Sequence, residues 1–481
     1  MVHLFPVLRA MGGLLIGTAL LMTAPLIVDF AGGGADAAYF LAGMIVAAFA
    51  GVTLLVVAAG PEPFSLTRRQ TFLLTGLVWA VIPAFAAIPF LGAGLSFMDA
   101  YFETVSGLTT TGSTVMVGLD DAPEGVLLWR GLLQGVGGVG IVVLAIIVLP
   151  FLRVGGTQLF KTESSDSSEK VLARGLDLAR WIAGIYFALI ALCALVYGLL
   201  GMSPFDAIIH AMATISTGGF GNHDESFGYF NSPAIEWAAI VFMIAGAFPF
   251  VAYIRTFRGR PLALLNDIQA RALLATLFFS VLAVAFTHSY LNAVPIGEAI
   301  RLAAFNLTSV ITTTGFVSGD YQLWGSFAVG AFFIATFIGG CSGSTVGGIK
   351  IYRLQILAKL AHAYLTNIVS PSRVVVVYYG TRRVDDEVEI AILTFLVAVL
   401  VSEATVSLLL AWMGLDLVTA TSAAATCLMN VGPGLGPIVG PAGNFAPLPD
   451  GAKAVLSVAM LLGRLEFFTL LVFLTPAFWR G

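Results

Sequence analysis

Four short stretches of this 481-residue chain set hydroxyl or amide side chains beside a glycine. They are Thr109-Thr110-Thr111-Gly112-Ser113, Ser216-Thr217-Gly218-Gly219-Phe220, Thr312-Thr313-Thr314-Gly315-Phe316 and Asn430-Val431-Gly432-Pro433-Gly434. The combination suits a dehydrated monovalent cation, which needs a close cage of oxygens; rings of backbone carbonyls supply one in selective channels. Turning successive carbonyls inward requires a dihedral that side chains oppose and glycine takes at little cost. The neighbouring hydroxyls add oxygens and tie the loop. Thr/Ser-Thr-Gly fits three times, and Asn430-Val431-Gly432 fits loosely. One such triplet would read as an ordinary turn; four in register do not.

Each turn follows an apolar stretch too short to cross a bilayer, at 97–109, 204–215, 297–311 and 416–428. Asp99, Asp206, Glu298 and Asp416 open these stretches, and a carboxylate favours a helix N-terminus. A half-helix that returns as extended backbone is tolerated at membrane depth only where it lines a water-filled cavity. Its C-terminal end, carrying about half a negative charge, favours a cation. Longer apolar runs at 131–152, 181–201, 237–254, 272–287, 390–413 and 454–478 approach the ~20 residues that span the hydrocarbon core as helix. The expected fold is therefore an all-α polytopic membrane protein. Four pseudo-symmetric helix–pore-helix–loop–helix repeats surround a central pore, and an N-terminal helix pair (about 10–29 and 38–59) precedes them. The boundaries read as 1–66 for the pair and 67–160, 161–262 and 263–360 for repeats one to three, with 361–481 for a cytoplasmic linker and repeat four. Pro61, Glu62 and Pro63 mark the join, and the polar stretch from Lys161 to Lys170 separates the first two repeats.

Composition agrees. Apolar residues make up 58% and charged residues 10%, against about 25% charged in soluble domains. Lys and Arg gather at 68–69, 153–180, 255–260 and 350–383, whereas the loops at 93–124, 201–236, 291–323 and 413–452 nearly lack them apart from Arg301. The positive-inside rule puts the basic set in the cytoplasm and all four glycine turns on the other side. Cys193, Cys341 and Cys427 have neither disulfide nor zinc spacing. The five histidines do not cluster, and neither a Walker motif nor an aspartyl-phosphate segment is present, so the chain does not read as an enzyme. The run 11–28 is expected as a retained helix rather than a cleaved signal.

The stretch Gly339-Gly340-Cys341-Ser342-Gly343-Ser344-Thr345-Val346-Gly347-Gly348 interrupts the second long helix of repeat three. Glycine costs about 1 kcal/mol in a helix interior relative to alanine, so unwinding is expected. The competing reading is a small-residue packing face, since Gly339, Gly343 and Gly347 fit Gly-x-x-x-Gly spacing. Arg464 is expected inside the last long helix; it either faces a cavity, as intramembrane charges do, or snorkels or pairs with Glu466 or Glu403. Glu103, Asn306 and Glu403 read as polar contacts holding pore helices, and Trp129, Trp237 and Trp324 as interfacial anchors. The linker 361–386, with its β-branched run Val374 to Tyr379, is expected to pair as a strand or to dock a partner.

Taken together, the four turns and the 339–350 stretch resemble the Trk/Ktr/HKT superfamily of cation transporters, Trk-type membrane subunits in particular, over essentially the whole chain. The resemblance implies potassium uptake across the bacterial inner membrane, with K⁺ as the ion and no organic cofactor. It places the potassium site at Thr110, Thr111, Gly112, Ser216, Thr217, Gly218, Thr313, Thr314, Gly315, Asn430, Val431 and Gly432, with Gly112, Gly218, Gly315 and Gly432 as the filter glycines. Glycine rather than serine at 112 implies potassium over sodium. The 339–348 segment (Gly339, Gly340, Cys341, Ser342, Gly343, Ser344, Thr345, Val346, Gly347, Gly348) becomes a gating loop, and Arg464 a charge in the pore. A homodimer in membrane lipid, carrying a soluble nucleotide-binding regulatory ring of the Trk A type and no nucleic acid, is implied as well. The alternatives are a Ktr-type sodium-coupled subunit, disfavoured by the extra helix pair, and an alternating-access carrier of a polar solute.

Overall fold

In a computed structural model, residues 4–34, 36–60, 66–144, 168–373 and 375–480 are described. The join at Pro61 to Pro63 and most of the Lys161–Lys170 linker lie outside them. Within the described residues the apolar runs form helices, the conformation that satisfies every backbone group within one segment; residues 145–152 of the 131–152 run lie outside them. Helix α1 (Phe5–Leu21), α2 (Thr23–Ala31) and α3 (Ala37–Val57) make the N-terminal unit. Here α1 and α3 press Gly12 against Gly51, where an added Cβ would come within 3.0 Å of the opposite backbone, a small-residue contact.

The repeats follow. Repeat one is α4 (Arg68–Ala86), α5 (Phe97–Leu108) and α6 (Glu124–Val143). Repeat two is α7 (Ser168–Leu199), α8 (Pro204–Ile215), α9 (Pro233–Ala247) and α10 (Phe250–Phe257). Repeat three is α11 (Ile268–Asn292), α12 (Ile296–Ile311), α13 (Ser326–Phe337) and α14 (Ile351–Val369). Repeat four runs from α15 (Asp386–Trp412) through α16 (Leu417–Met429) and α17 (Gly436–Val439) to α18 (Asp450–Arg464), α19 (Phe468–Leu471) and α20 (Pro476–Arg480). Among the described residues seven helices are long and apolar enough to cross a membrane, or nine if each bent pair is one span.

The short helices α5, α8, α12 and α16 begin where the acidic residues predict. Ser96 and Ser203 cap α5 and α8 alike: each hydroxyl accepts from the N–H of Asp99 or Asp206 and donates to that carboxylate at 2.8 Å. Asp416 caps α16 directly, accepting from the Thr419 N–H at 3.0 Å. These caps satisfy N–H groups left open at a helix start.

Burial separates a lipid-facing wall from an inner layer. In the first helices of the four repeats, 33%, 28%, 28% and 22% of the apolar window is buried, against 67% in α6. Two expected spans are broken. The 237–254 run bends by 91° between α9 and α10, and the 454–478 run by 107° after Arg464. The first break falls at Phe248-Pro249, where proline forces its predecessor out of the helical region. The second passes through Glu466 and Phe467, both at positive φ (60° and 49°). Cys341 to Gly348 join α13 to α14 as a non-helical loop, so the packing-face reading fails.

The cytoplasmic linker does pair, as a two-residue hairpin: β1 (Tyr378–Tyr379) against β2 (Arg382–Arg383) around Gly380 at φ 63°. Val374, within the expected strand, lies outside the described residues. Trp129 and Trp324 are not interfacial anchors. Trp129 is fully buried and donates to the Ala86 carbonyl at 2.9 Å, and Trp324 is buried against His288. Trp237 alone of the three is exposed.

Candidate functional site

The four short helices deliver their C-terminal loops to one place. At the first loop position Thr110, Thr217, Thr313 and Asn430 take φ of 51°, 52°, 50° and 56°; two residues on, Gly112, Gly219, Gly315 and Gly432 take 85°, 78°, 82° and 113°. The left-handed region is open mainly to glycine, and a threonine there is uncommon. In repeat two the pattern corrects the sequence reading by one residue. Gly219, not Gly218, is the counterpart of Gly112, Gly315 and Gly432, and Gly218 stands with Thr111, Thr314 and Val431. Counting from the helix end (Thr-x-Gly in three repeats, Asn-x-Gly in the fourth) would have found the register; the paired glycines concealed it.

The loops meet cyclically. A Cβ built on Gly112 would strike the Gly218 carbonyl oxygen, one on Gly219 that of Thr314, one on Gly315 that of Val431, and one on Gly432 that of Thr111, each closer than 3.0 Å. Every glycine thus faces the carbonyl that precedes the equivalent glycine of the next repeat. An outer cavity of about 320 Å³ opens onto Gly112, Gly219, Gly315 and Gly432 together. Hydroxyls tie the loops from behind: Thr109 to Thr111 at 2.7 Å and Thr312 to Thr314 at 2.8 Å. Asn430 donates to the Thr111 hydroxyl at 2.9 Å, and the Ser113 hydroxyl donates to the Gly432 carbonyl at 2.9 Å, closing repeat four on repeat one.

A polar buttress surrounds the outer half. Glu103 is completely buried and accepts from Arg130 Nε at 2.9 Å, the Thr114 hydroxyl at 2.9 Å and the Val115 N–H at 2.9 Å. Arg130 also donates to the Gly221 carbonyl at 2.7 Å, binding repeat one to repeat two. Asn306 does the same locally, bonding the Ser318 hydroxyl and N–H. These two match the expected structural role; among the described residues Glu403 reaches only Ser407 on its own helix, at 3.3 Å. Arg130 and Gln134 were missed, although polar residues four apart at the start of an apolar span are a signal in themselves. At the outer rim His223 bonds Asp120 at 2.6 Å, and this bond holds the Asp120 carboxyl below its ordinary range. Asp224 accepts from the N–H groups of Gly118 and Leu119 at 2.9 and 3.1 Å.

The 339–348 loop lies against the inner side of the same ring. Thr345 donates to the carbonyls of Ile215 and Gly246 at 3.1 and 3.0 Å and accepts from the Thr217 hydroxyl at 3.2 Å. The Gly347 N–H reaches the Thr313 hydroxyl at 2.8 Å, and the Gly348 N–H the Met429 carbonyl at 2.9 Å. Three of the four loops are thereby in contact with it. Gly339 and Gly347 are packed so closely against backbone that neither admits a Cβ. Arg464, at the broken end of α18 rather than inside a continuous helix, donates through Nη1 to the Thr345 carbonyl at 2.9 Å and is buried. Its Nε and Nη2 have no partner among the described residues. Glu466 pairs with Arg353 instead. Lys350 donates to the Val346 carbonyl.

A mostly helical chain with seven to nine apolar spans among the described residues, whose four loops come together with each glycine against a neighbouring loop's carbonyl, falls in the class of polytopic membrane transport proteins. The chain belongs to the TrkH family of cation transport proteins, whose family model matches residues 37–480. It is 45% identical over 479 residues to the Trk system potassium uptake protein TrkI of Halomonas elongata, covering 99% of this chain and 97% of that protein. It is 37% identical over 437 residues to TrkH of Escherichia coli K12, covering 87% and 88%. The crystal structure of the potassium transporter TrkH from Vibrio parahaemolyticus superimposes with a TM-score of 0.91 at 34% identity, covering 100% of both chains. The protein is thus a polytopic inner-membrane protein, and its relatives are transporters rather than enzymes.

Proposed function

We propose that this chain admits potassium into the bacterial cell through a filter built from the four glycine loops, with the 339–348 loop and Arg464 as its gate. The carrying observation is the cyclic approach of Gly112, Gly219, Gly315 and Gly432 to the carbonyls of Gly218, Thr314, Val431 and Thr111. Four carbonyls held around one axis at the ends of four short helices replace a cation's hydration shell and add the negative ends of four helix dipoles. Thr110, Thr217, Thr313 and Asn430 supply the ring below, and Ser216 supports its loop by donating to the Ala213 carbonyl at 3.2 Å. The units 67–160, 161–262, 263–360 and 361–481 act as the four walls, with 1–66 as a peripheral pair. The names of the relatives, potassium uptake proteins, support the choice of ion.

Below the filter, the Arg464 charge repels cations while the loop occupies their path. Control comes from a nucleotide-binding ring on the cytoplasmic face of a homodimer. A route to the gate is available: Tyr379 of the hairpin donates to Gln355 at 2.9 Å, Gln355 contacts the Ile268 carbonyl at 3.4 Å, and the adjacent Gln269 accepts from the Ser342 N–H at 2.7 Å. A ligand on the ring changes flux only through different affinity for its open and closed forms. The test is ion flux in proteoliposomes with K⁺, Rb⁺, Na⁺ and Li⁺. Flux favouring K⁺ and Rb⁺ over Na⁺ and Li⁺ is expected; equal flux of all four overturns the filter reading.

A further inference from the structure

In three of the four loops the residue ahead of the ring glycine has a side chain: Thr111, Thr314 and Val431. In repeat two that residue is Gly218, the most mobile backbone unit available, at the point where order matters most. The gap is filled from elsewhere. Gln134, completely buried on α6, donates from Nε2 to the Gly218 carbonyl at 2.5 Å and accepts from the Phe220 N–H at 3.1 Å, bracketing Gly219. A Cβ on Gly218 would lie 2.6 Å from Gln134 Oε1, so side chain and glycine are complementary in shape. Among the described residues the matching carbonyls of Thr111, Thr314 and Val431 accept no hydrogen bond. Loops one and three are braced by the hydroxyl pairs Thr109–Thr111 and Thr312–Thr314; loop two has Ser216 at the first of these positions and no hydroxyl at the second.

We propose that Gln134 is a positioning residue of the filter, its amide replacing the side chain that Gly218 lacks and fixing the direction of the repeat-two carbonyl. This rests on the reading of the loops as a potassium filter. A carbonyl oxygen has two lone pairs, so the Gln134 bond leaves one for the ion while removing the rotational freedom that would let the cage shrink around Na⁺. Repeat two is thus braced across repeats, from α6 of repeat one, where loops one and three are braced within themselves. The arrangement also makes Gln134 and Gly218 interchangeable with a Thr at 218, whose hydroxyl would meet Ser216 as Thr111 meets Thr109.

The experiment measures K⁺/Na⁺ flux ratios in proteoliposomes for wild type, Q134A, G218T and the Q134A/G218T pair, with monodispersity and thermal melting as folding controls. Q134A is expected to lose about tenfold in the K⁺/Na⁺ ratio, the weight of one buried hydrogen bond. G218T, colliding with Gln134, is expected to lose most flux, and the double variant to recover both flux and ratio. A folded Q134A with the wild-type ratio overturns the inference, as does a double variant no better than the worse single one. If Q134A does not assemble, the double variant decides: recovery upholds the brace, failure refutes it. Absence of discrimination in the wild type itself overturns the filter reading and this inference with it, whereas a selective wild type with unaltered variants overturns this inference alone.

Discussion

At Gly112 any side chain must enter the space held by the Gly218 carbonyl, and it must do so at φ 85°. The left-handed region alone costs a side-chain-bearing residue roughly 1–2 kcal/mol, and the collision with backbone adds to this. Gly112→Ser is therefore expected to deform the carbonyl cage and lower the K⁺/Na⁺ flux ratio; a wild-type ratio in the folded variant would remove Gly112 from the filter. The one-residue shift in repeat two has a separate test. Gly219→Ala meets the Thr314 backbone at φ 78°, whereas Gly218→Ala meets the Gln134 side-chain amide, not backbone, at an ordinary φ. Rb⁺ uptake is expected to fall much further in Gly219→Ala than in Gly218→Ala, and the reverse order would restore the register expected from sequence. Arg464 Nε and Nη2 have no partner among the described residues, in keeping with the proposed role of its charge at the gate. Arg464→Ala should raise cation flux in liposomes; unaltered flux with a lowered melting temperature would make it a brace for Thr345 only.

Among the elements, the broken second helices matter most. Continuous helices at 233–257 and 450–474 would carry apolar side chains straight through, whereas the break after Ala247 frees backbone that the 339–348 loop binds, and at the break after Arg464 the guanidinium binds the Thr345 carbonyl. Cys341 donates through its N–H to the Ala247 carbonyl at 3.2 Å, and Phe250 through its N–H to the Gly343 carbonyl at 2.9 Å. Unwound backbone inside a membrane protein survives only with such partners. Deleting several residues within 341–347 removes the contacts to Thr217 and Thr313 and, on the proposed gating role, the obstruction. Single-channel or flux recordings of the deletion are expected to show larger and less controlled currents, and unchanged flux in a folded deletion would show that the loop does not gate. The kinks could be anticipated only partly: Pro249 is visible in the sequence, but the turn through Glu466 and Phe467 carries no glycine or proline.

At the scale of the whole molecule, the proposed control by a partner ring can be tested, with the hairpin at Tyr378 to Arg383 as the described cytoplasmic feature beside α14. Charge attraction between the basic linkers and a partner decays within about 8 Å at physiological salt, so the proposed docking needs direct contact, for which 361–386 is the candidate. Co-reconstitution with the ring protein is expected to make flux nucleotide-dependent, and flux indifferent to nucleotide with the ring demonstrably bound would sink that model. The fold class, the four repeats, the short pore helices and the interrupted segment of repeat three were all legible in the sequence. They rest on local physics: apolar length against bilayer thickness, acidic caps, and glycine where a helix cannot continue. Tertiary structure decided the break after α18 and the roles of Arg130, Gln134, Trp129 and Trp324, and it exposed the register of Gly218 and Gly219 that the paired glycines conceal. Each depends on which backbone or side chain from a distant repeat lies within a few ångströms. The two adjacent glycines differ in sequence only by their distance from the helix end, and in the structure the left-handed φ of Gly219 and its approach to the Thr314 carbonyl tell them apart.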